Sequence, residues 1–174
     1  MRILITGASG FIGSALAAVF TDRGHEVVAC AHRRDTRAPA IRVDYMRDIT
    51  ETDWLPRLQD VDVVINSVGI LRETVTAQFD ALHYRAPAAL FRACQTANVA
   101  RVIQISALGA DDSSSSAYHL SKKSADDALR TLDLDWTILQ ASVVFGRGGA
   151  STNLFLRLAS LPIIPLIGCG DQSM

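Results

Sequence analysis

The sequence predicts a doubly wound α/β fold, a parallel sheet with helices on both faces, and three observations carry that reading. Short runs rich in branched apolar residues alternate with amphipathic stretches along most of the 174 residues. The first run passes directly into three glycines spaced G-x-x-G-x-x-G, at Gly7, Gly10 and Gly13, and then into an amphipathic stretch. The run at residues 61–66 is apolar at both odd and even positions, as a central parallel strand buried on both faces must be. Short connections between unlike elements imply right-handed crossovers.

The elements follow in order. Residues 1–6 read as the first strand and 14–23 as the helix after the glycines. A second strand is expected at 26–31, beyond the Arg23-Gly24-His25 turn, and a short third at 41–43. Thr50 stands where it would cap a short helix at 51–58. After the fourth strand at 61–66, a long helix is expected at 77–98, with an apolar stripe through Leu82, Ala86, Ala89, Leu90 and Ala93. Pro87 inside it predicts a kink or a local irregularity, because it lacks the N–H that a helix interior needs. Residues 101–106 read as the fifth strand, 117–132 as a helix, 136–140 as the sixth strand and 151–160 as a last helix. The polar run from Asp111 to Ser116 reads as a loop over the carboxyl edge of the sheet.

Composition excludes several classes of partner. With 17 basic and 18 acidic residues the net charge is −1, which offers no electrostatic footprint for nucleic acid or an anionic membrane. Hydrophobic residues make up 49%, yet no apolar run approaches the roughly 18 to 20 residues of a membrane span. The first strand starts at Met1, which leaves no room for a signal peptide, and Cys30, Cys94 and Cys169 are odd in number and far apart. Both features lead us to expect reduced thiols and a cytoplasmic protein. His25, His32, His83 and His119 lack metal-ligand spacing, and Trp54 and Trp136 read as packing residues.

The glycines carry the first chemistry. Strand, tight turn and helix in that order place a helix N-terminus where a pyrophosphate can rest on free backbone N–H groups. Gly7 would permit the turn, Gly10 would let the backbone approach the phosphates, and Gly13 would let the helix pack close. A dinucleotide is therefore expected. An acidic residue at the end of the second strand would favour NAD(H), but the sequence there runs Ala31-His32-Arg33-Arg34. Arg33 and Arg34, with Arg37 nearby, would grip a 2′-phosphate through charge-assisted forks, so NADP(H) is favoured over NAD(H); the other reading is a solvated basic turn. Tyr118 and Lys122 are four apart on an expected helix and so share a face. A free phenol has a pKa near ~10, and a neighbouring ammonium would lower it towards a usable acid/base. The competing reading is an ordinary pair on a helix surface.

Gly7-Ala-Ser-Gly10-Phe-Ile-Gly13, Asn66-Ser-Val-Gly69 and Tyr118-His-Leu-Ser-Lys122 together resemble the short-chain dehydrogenase/reductase superfamily, in its extended and atypical branch, whose fold is of the Rossmann type. The stretches from Arg101 to Ala110 and from Val144 to Gly149 are most similar to an atypical subgroup. That subgroup holds nucleoside-diphosphate-sugar epimerase-like proteins and the dehydrogenase-like accessory subunit of respiratory complex I. The resemblance implies that Lys122 binds the nicotinamide ribose beside Tyr118. It implies cofactor contacts at Ser9, Phe11 and Ile12 along with the three glycines, at Asp44 and Tyr45 beside the adenine, and at Asn66, Ser67 and Gly69 under the adenosine ribose. Ser106 is the candidate third catalytic residue. The family's hydroxyl often stands one or two positions later, where this chain has Ala107 and Leu108, so Ser106 has a second reading as a residue that simply bonds backbone near the cofactor. His83 departs from the family pattern, in which a structural Asn is common. Arg147, in a glycine loop, reads either as a contact to an anionic substrate or as a surface residue.

The organisation expected from the resemblance is an NAD(P)-binding domain at residues 1–150 and the start of a substrate-binding lobe at 151–174, incomplete because relatives continue beyond the corresponding point. The partner expected is a small-molecule substrate of the nucleotide-sugar kind, and a homodimer is the candidate assembly. Two functions stand: an NAD(P)-dependent oxidoreductase or epimerase with Tyr118 as acid/base, or a non-catalytic module that holds NADPH for structural or sensing purposes.

Overall fold

The structure is a computed structural model that describes residues 1–32, 40–146 and 148–160. Strands β1 (Arg2–Thr6), β2 (Glu26–Ala31), β3 (Ala40–Arg42), β4 (Val63–Asn66), β5 (Arg101–Ala107) and β6 (Trp136–Ala141) form one sheet. Every pairing is parallel, in the order β3-β2-β1-β4-β5-β6. The order reverses between β1 and β4, so a crevice opens beyond their carboxyl ends, where ligands bind in doubly wound folds.

Helices α1 (Phe11–Asp22), α2 (Glu51–Trp54), α3 (Ala86–Thr96) and α4 (Ala117–Arg130) belong to this body, which spans Met1–Ala141. Alternation along β1 divides the core. Leu4 joins a large cluster with Val64, Val102, Trp54, Leu90, Phe91 and Leu129, while Ile3 and Ile5 face Leu16, Ala17 and Phe20 of α1. A second unit, Ser142–Met174, holds α5 (Ala150–Ala159), and within it the Gly146 N–H donates to the Thr152 hydroxyl at 3.0 Å. No helix among the described residues is long and apolar enough to cross a membrane.

The sequence reading places the elements correctly and misplaces several ends. α1 starts at Phe11 rather than Ser14, because Gly10 takes the N-cap position and its carbonyl already accepts the Ser14 N–H at 2.9 Å. The helix expected at 51–58 is a single α-turn capped by a Thr50–Asp53 box, then a tighter 3₁₀ turn at Leu55–Arg57 that holds Pro56. The long helix expected at 77–98 begins instead as a π-helical segment, Asp80–Arg85, and becomes α3 only at Ala86. Pro87 has no N–H to return to the preceding turn, so the widened turn sits immediately before it. Ala77 itself pairs with Thr74 in a short bridge. Asn98, with φ 54°, closes α3 in the left-handed region.

Gly7 has φ +67°, and a Cβ built on Gly13 would stand 2.3 Å from the Gly7 carbonyl oxygen and 2.6 Å from Ser67 Oγ. Gly24 has φ +79° but open space around it. Gly13→Ala should therefore cost about 2 kcal/mol or more, whereas Gly24→Ala should cost about 1 kcal/mol for its backbone conformation alone. Urea denaturation midpoints of the two variants check the difference, and equal costs would refute the close approach.

Candidate cofactor site

The glycine turn follows β1 without a break. Its shape is held from three sides. The Gly10 N–H donates to the Gly7 carbonyl at 2.8 Å, Ser67 Oγ donates to the Thr6 carbonyl at 2.5 Å, and the Gly7 N–H donates to the Tyr45 hydroxyl at 2.9 Å. That hydroxyl donates onward to the Cys30 carbonyl at 3.3 Å, and burial raises its pKa above the ordinary phenol range. No side chain caps α1 and no acidic residue stands in its first turn, so its leading N–H groups are left for an anion.

A cleft of about 790 Å³ opens beside this turn. Gly7, Ser9 and Gly10 line it at the phosphate end, Asp44 and Tyr45 at another, and Ser67 and Gly69 between them. Seven of the residues singled out from the sequence thus share one cavity. Phe11, Ile12 and Gly13 form the first turn of α1 beside it. Asn66 is buried in the sheet, where Thr6 Oγ1 donates to its Oδ1 at 2.5 Å and its Nδ2 donates to Gln104 Oε1 at 2.6 Å. These three residues lie in register on β1, β4 and β5, so Asn66 joins strands rather than lining the cleft. Asp44 holds its own loop, its Oδ1 accepting the Met46 N–H at 3.1 Å. Arg33, Arg34, Arg37 and Arg147 lie outside the described residues.

Tyr118, Lys122 and Ser106 lie next to one another in the fold but are differently engaged. Lys122 is buried, and its Nζ donates to the Val68 carbonyl at 2.9 Å and the Ile105 carbonyl at 3.0 Å. An ammonium has three protons, so one remains. Burial lowers its pKa to about 8, and the Asp126 carboxylate opposes that shift. The Cβ that Gly69 lacks would stand 3.4 Å from this nitrogen, so Lys122 lies close behind that glycine, while Lys122, Tyr118 and Ser106 are not among the residues that line the cleft. Tyr118 is half-buried, edge-on to the rings of Phe79, His83 and His119. Its phenol pKa is raised by burial, which corrects the expectation of a lowered one: the ammonium is turned to the two carbonyls and desolvation prevails. Ser106 donates to Asp126 Oδ2 at 2.5 Å, a side-chain partner rather than the backbone contact of its second reading.

His83 explains the departure noted in the sequence. Its Nε2 accepts the Ile70 N–H at 2.9 Å, which leaves Nδ1 as the donor to Ser121 Oγ at 2.9 Å. Ser121 in turn donates to the Tyr118 carbonyl at 2.7 Å. One neutral imidazole therefore joins the loop after β4, the π-helical segment and α4. The cleft also holds residues that the sequence did not point to: His32, Met46, Ile70, Arg72, Thr74 and Thr76. Position after a strand was a usable signal for His32, whose Nδ1 donates to the Val43 carbonyl at 3.3 Å. Arg72, Thr74 and Thr76 come from a loop with no motif, folded by the Thr74–Ala77 bridge and by Glu73, which accepts the Phe79 N–H at 2.7 Å. No group of three or more potential metal ligands occurs among the described residues.

The profile of a family described as NAD(P)H-binding matches residues 7–153. Ceramide reductase of Caulobacter vibrioides is 29% identical over 171 residues, covering 95% of this chain and 53% of its own length. The mitochondrial NADH dehydrogenase (ubiquinone) 1 alpha subcomplex subunit 9 of Rattus norvegicus is 28% identical over 181 residues, covering 98% and 48%. The chain thus spans about half the length of these curated relatives. Among solved structures, Bordetella bronchiseptica WbmH in complex with NAD⁺ superposes with a TM-score of 0.74 at 18% identity, over 91% of this chain and 62% of that one. The UDP-glucuronic acid 4-epimerase of Bacillus cereus in complex with NAD gives 0.69 at 23% identity, over 84% and 58%. At these identities the likeness is one of fold.

Burial, and after it the Lys122 charge, depress the His83 pKa from 6.5 to about 3. The unfolded chain therefore binds more protons at this residue between those values, and the native state loses stability as pH falls from 6.5 towards 3. His83→Gln should remove this share of the acid sensitivity. Urea midpoints at pH 7 and pH 4.5 should fall further apart for the wild type than for the variant. An equal fall in both would sink the assignment.

Proposed function

The chain belongs to the NAD(P)H-binding family, within the extended and atypical branch of the short-chain dehydrogenase/reductase superfamily, and on that premise we propose that it is an NADP(H)-dependent oxidoreductase or epimerase. One observation carries the reading: the glycine turn and the uncapped N-terminus of α1 open onto one cleft, and the Lys122 ammonium stands behind Gly69, which lines it. The residues present suit a dinucleotide, because side chains are missing where one would need the backbone to come close. Gly7, Ser9, Gly10 and the first turn of α1 hold the pyrophosphate. Ser67 and Gly69 face the adenosine side together with Asp44, Tyr45 and His32. Arg33 and Arg34, which follow β2 in the sequence, select the 2′-phosphate.

The bound cofactor supplies hydride exchange with a substrate carbon. The chain supplies proton control and orientation. Lys122, anchored by two carbonyls, keeps a third proton for a ribose hydroxyl. Tyr118 moves the proton to or from the substrate oxygen as a phenol whose pKa burial raises. Ser106, bonded to Asp126, acts from below rather than on the substrate. Nucleotide-sugars and ceramide-type lipids are the substrate classes suggested by the relatives' names.

A second reading, a module that holds NADPH without turnover, draws on two observations: the raised Tyr118 pKa and the likeness to the complex I subunit. In fluorescence titrations NADPH should bind more tightly than NADH, and Arg33→Ala/Arg34→Ala should remove most of that preference. Equal affinities in the wild type would refute the arginine assignment. Tyr118→Phe should leave NADPH affinity within about twofold and lower NADPH consumption with a ketone or nucleotide-sugar substrate by ~100-fold or more. Undiminished turnover would remove Tyr118 from the chemistry, and no turnover in the wild type across the panel would favour the second reading.

A further inference from the structure

Two formal charges are buried among the described residues, Lys122 at 4% exposure and Asp126 at 0%, and they lie one helical turn apart on α4. A lone buried ammonium costs several kcal/mol of desolvation, and carbonyl dipoles such as those of Val68 and Ile105 offset only part of it. We propose that Asp126 is a positioning residue of the site: held by Ser106, next to the Ile105 carbonyl that Lys122 bonds, it is the counter-charge that keeps Lys122 an ammonium behind Gly69. The assignment rests on the reading of Lys122 as a cofactor-binding residue.

Burial raises the Asp126 pKa above the ordinary carboxylate value, and its neighbours oppose that rise: Ser106 Oγ donates to Oδ2 at 2.5 Å, and the charges of Arg130 and Lys122 favour the anion. Gln104 is the last member of the side-chain ladder that starts at Thr6 and passes through Asn66. Its Nε2 and Asp126 Oδ1 are both buried without a hydrogen-bond partner, so the carboxylate has capacity that the fold leaves unused. The groups that face Lys122 are His83 from the π-helical segment, Tyr118 and Asp126 one turn to either side on its own helix, the Ile105 carbonyl from β5 and the Val68 carbonyl from the loop after β4. Of these, Asp126 is the one carboxyl group.

The chain has two lysines, Lys122 and Lys123, which makes the test direct. Protein labelled with ¹³C at the lysine ε-carbon gives two resonances, and Lys123→Arg identifies the one that belongs to Lys122. Without cofactor, the wild-type Lys122 resonance should titrate near pH 8. Asp126→Asn should lower its proton affinity about tenfold or more, moving the midpoint down by about one unit, and Asp126→Glu should restore it. An unchanged midpoint in Asp126→Asn would overturn the proposal. If that variant does not fold, Lys122→Met/Asp126→Asn should recover the fold by removing both charges, and failure to recover it would also overturn the proposal. NADPH titration of the same samples judges the cofactor reading separately. A wild type that binds no NADPH sinks that reading, while the lysine titration still decides the role of Asp126.

Discussion

Two backbones touch where a Cβ would have no room, at Gly7 and Gly13, and the cofactor site is arranged around that contact. The first turn of α1 can approach the Gly7 carbonyl only because Gly13 has no side chain, and the loop after β4 can approach Gly7 only because Gly7 has none. Once both do, the ends of β1 and β4 are brought together as well. Ser67 reaches the Thr6 carbonyl, and Tyr45 reaches the Gly7 N–H from the loop after β3. Three parts of the chain, far apart in sequence, then share one turn. The uncapped helix end is a consequence of this geometry: a capping side chain would occupy the place that an anion takes.

The second organising feature is polar chemistry kept dry. Apolar clusters cover both sides of β1, yet Thr6, Asn66 and Gln104 bond side chain to side chain across three strands through the middle of the sheet. The same layer leads to Ser106 and Asp126, and Lys122 lies on the helix above them. Low dielectric strengthens each of these interactions and makes each one costly to leave unpaired. A layer of this kind fixes side-chain positions more narrowly than an apolar core does, which suits a buried lysine that stands close behind one glycine. His83 extends the same logic to α3, because only a neutral imidazole can accept from Ile70 and donate to Ser121 at once.

Much of the fold could be read from local pattern. β1, β2, β5 and β6 are short apolar runs bounded by turn residues, and their predicted limits lie within one residue of the observed ones. The misplaced ends share a cause. Where α1 starts depends on Gly10 acting as an N-cap, and where α3 starts depends on a π-turn before Pro87. Periodicity records neither choice: the first rests on one glycine, and Pro87 announces an irregularity at the second without fixing its form. The site shows the same division. Gly7, Gly10, Tyr118 and Lys122 announce themselves by spacing, whereas Arg72, Thr74 and Thr76 enter the cleft from a loop whose shape depends on one bridge and one glutamate.

By itself the sequence determined the order of strands and helices, the phosphate turn, and the pairing of a tyrosine with a lysine on one helix face, because each depends on residues within a few positions of one another. Tertiary structure alone decided what those residues do next. Burial raises the Tyr118 pKa instead of letting the ammonium lower it, two carbonyls from β5 and the loop after β4 take two of the Lys122 protons, and Asp126 takes the Ser106 hydroxyl. The reason is physical: desolvation and hydrogen bonding are set by what comes near in space, and for these groups the decisive neighbours lie 17 to 54 residues away along the chain.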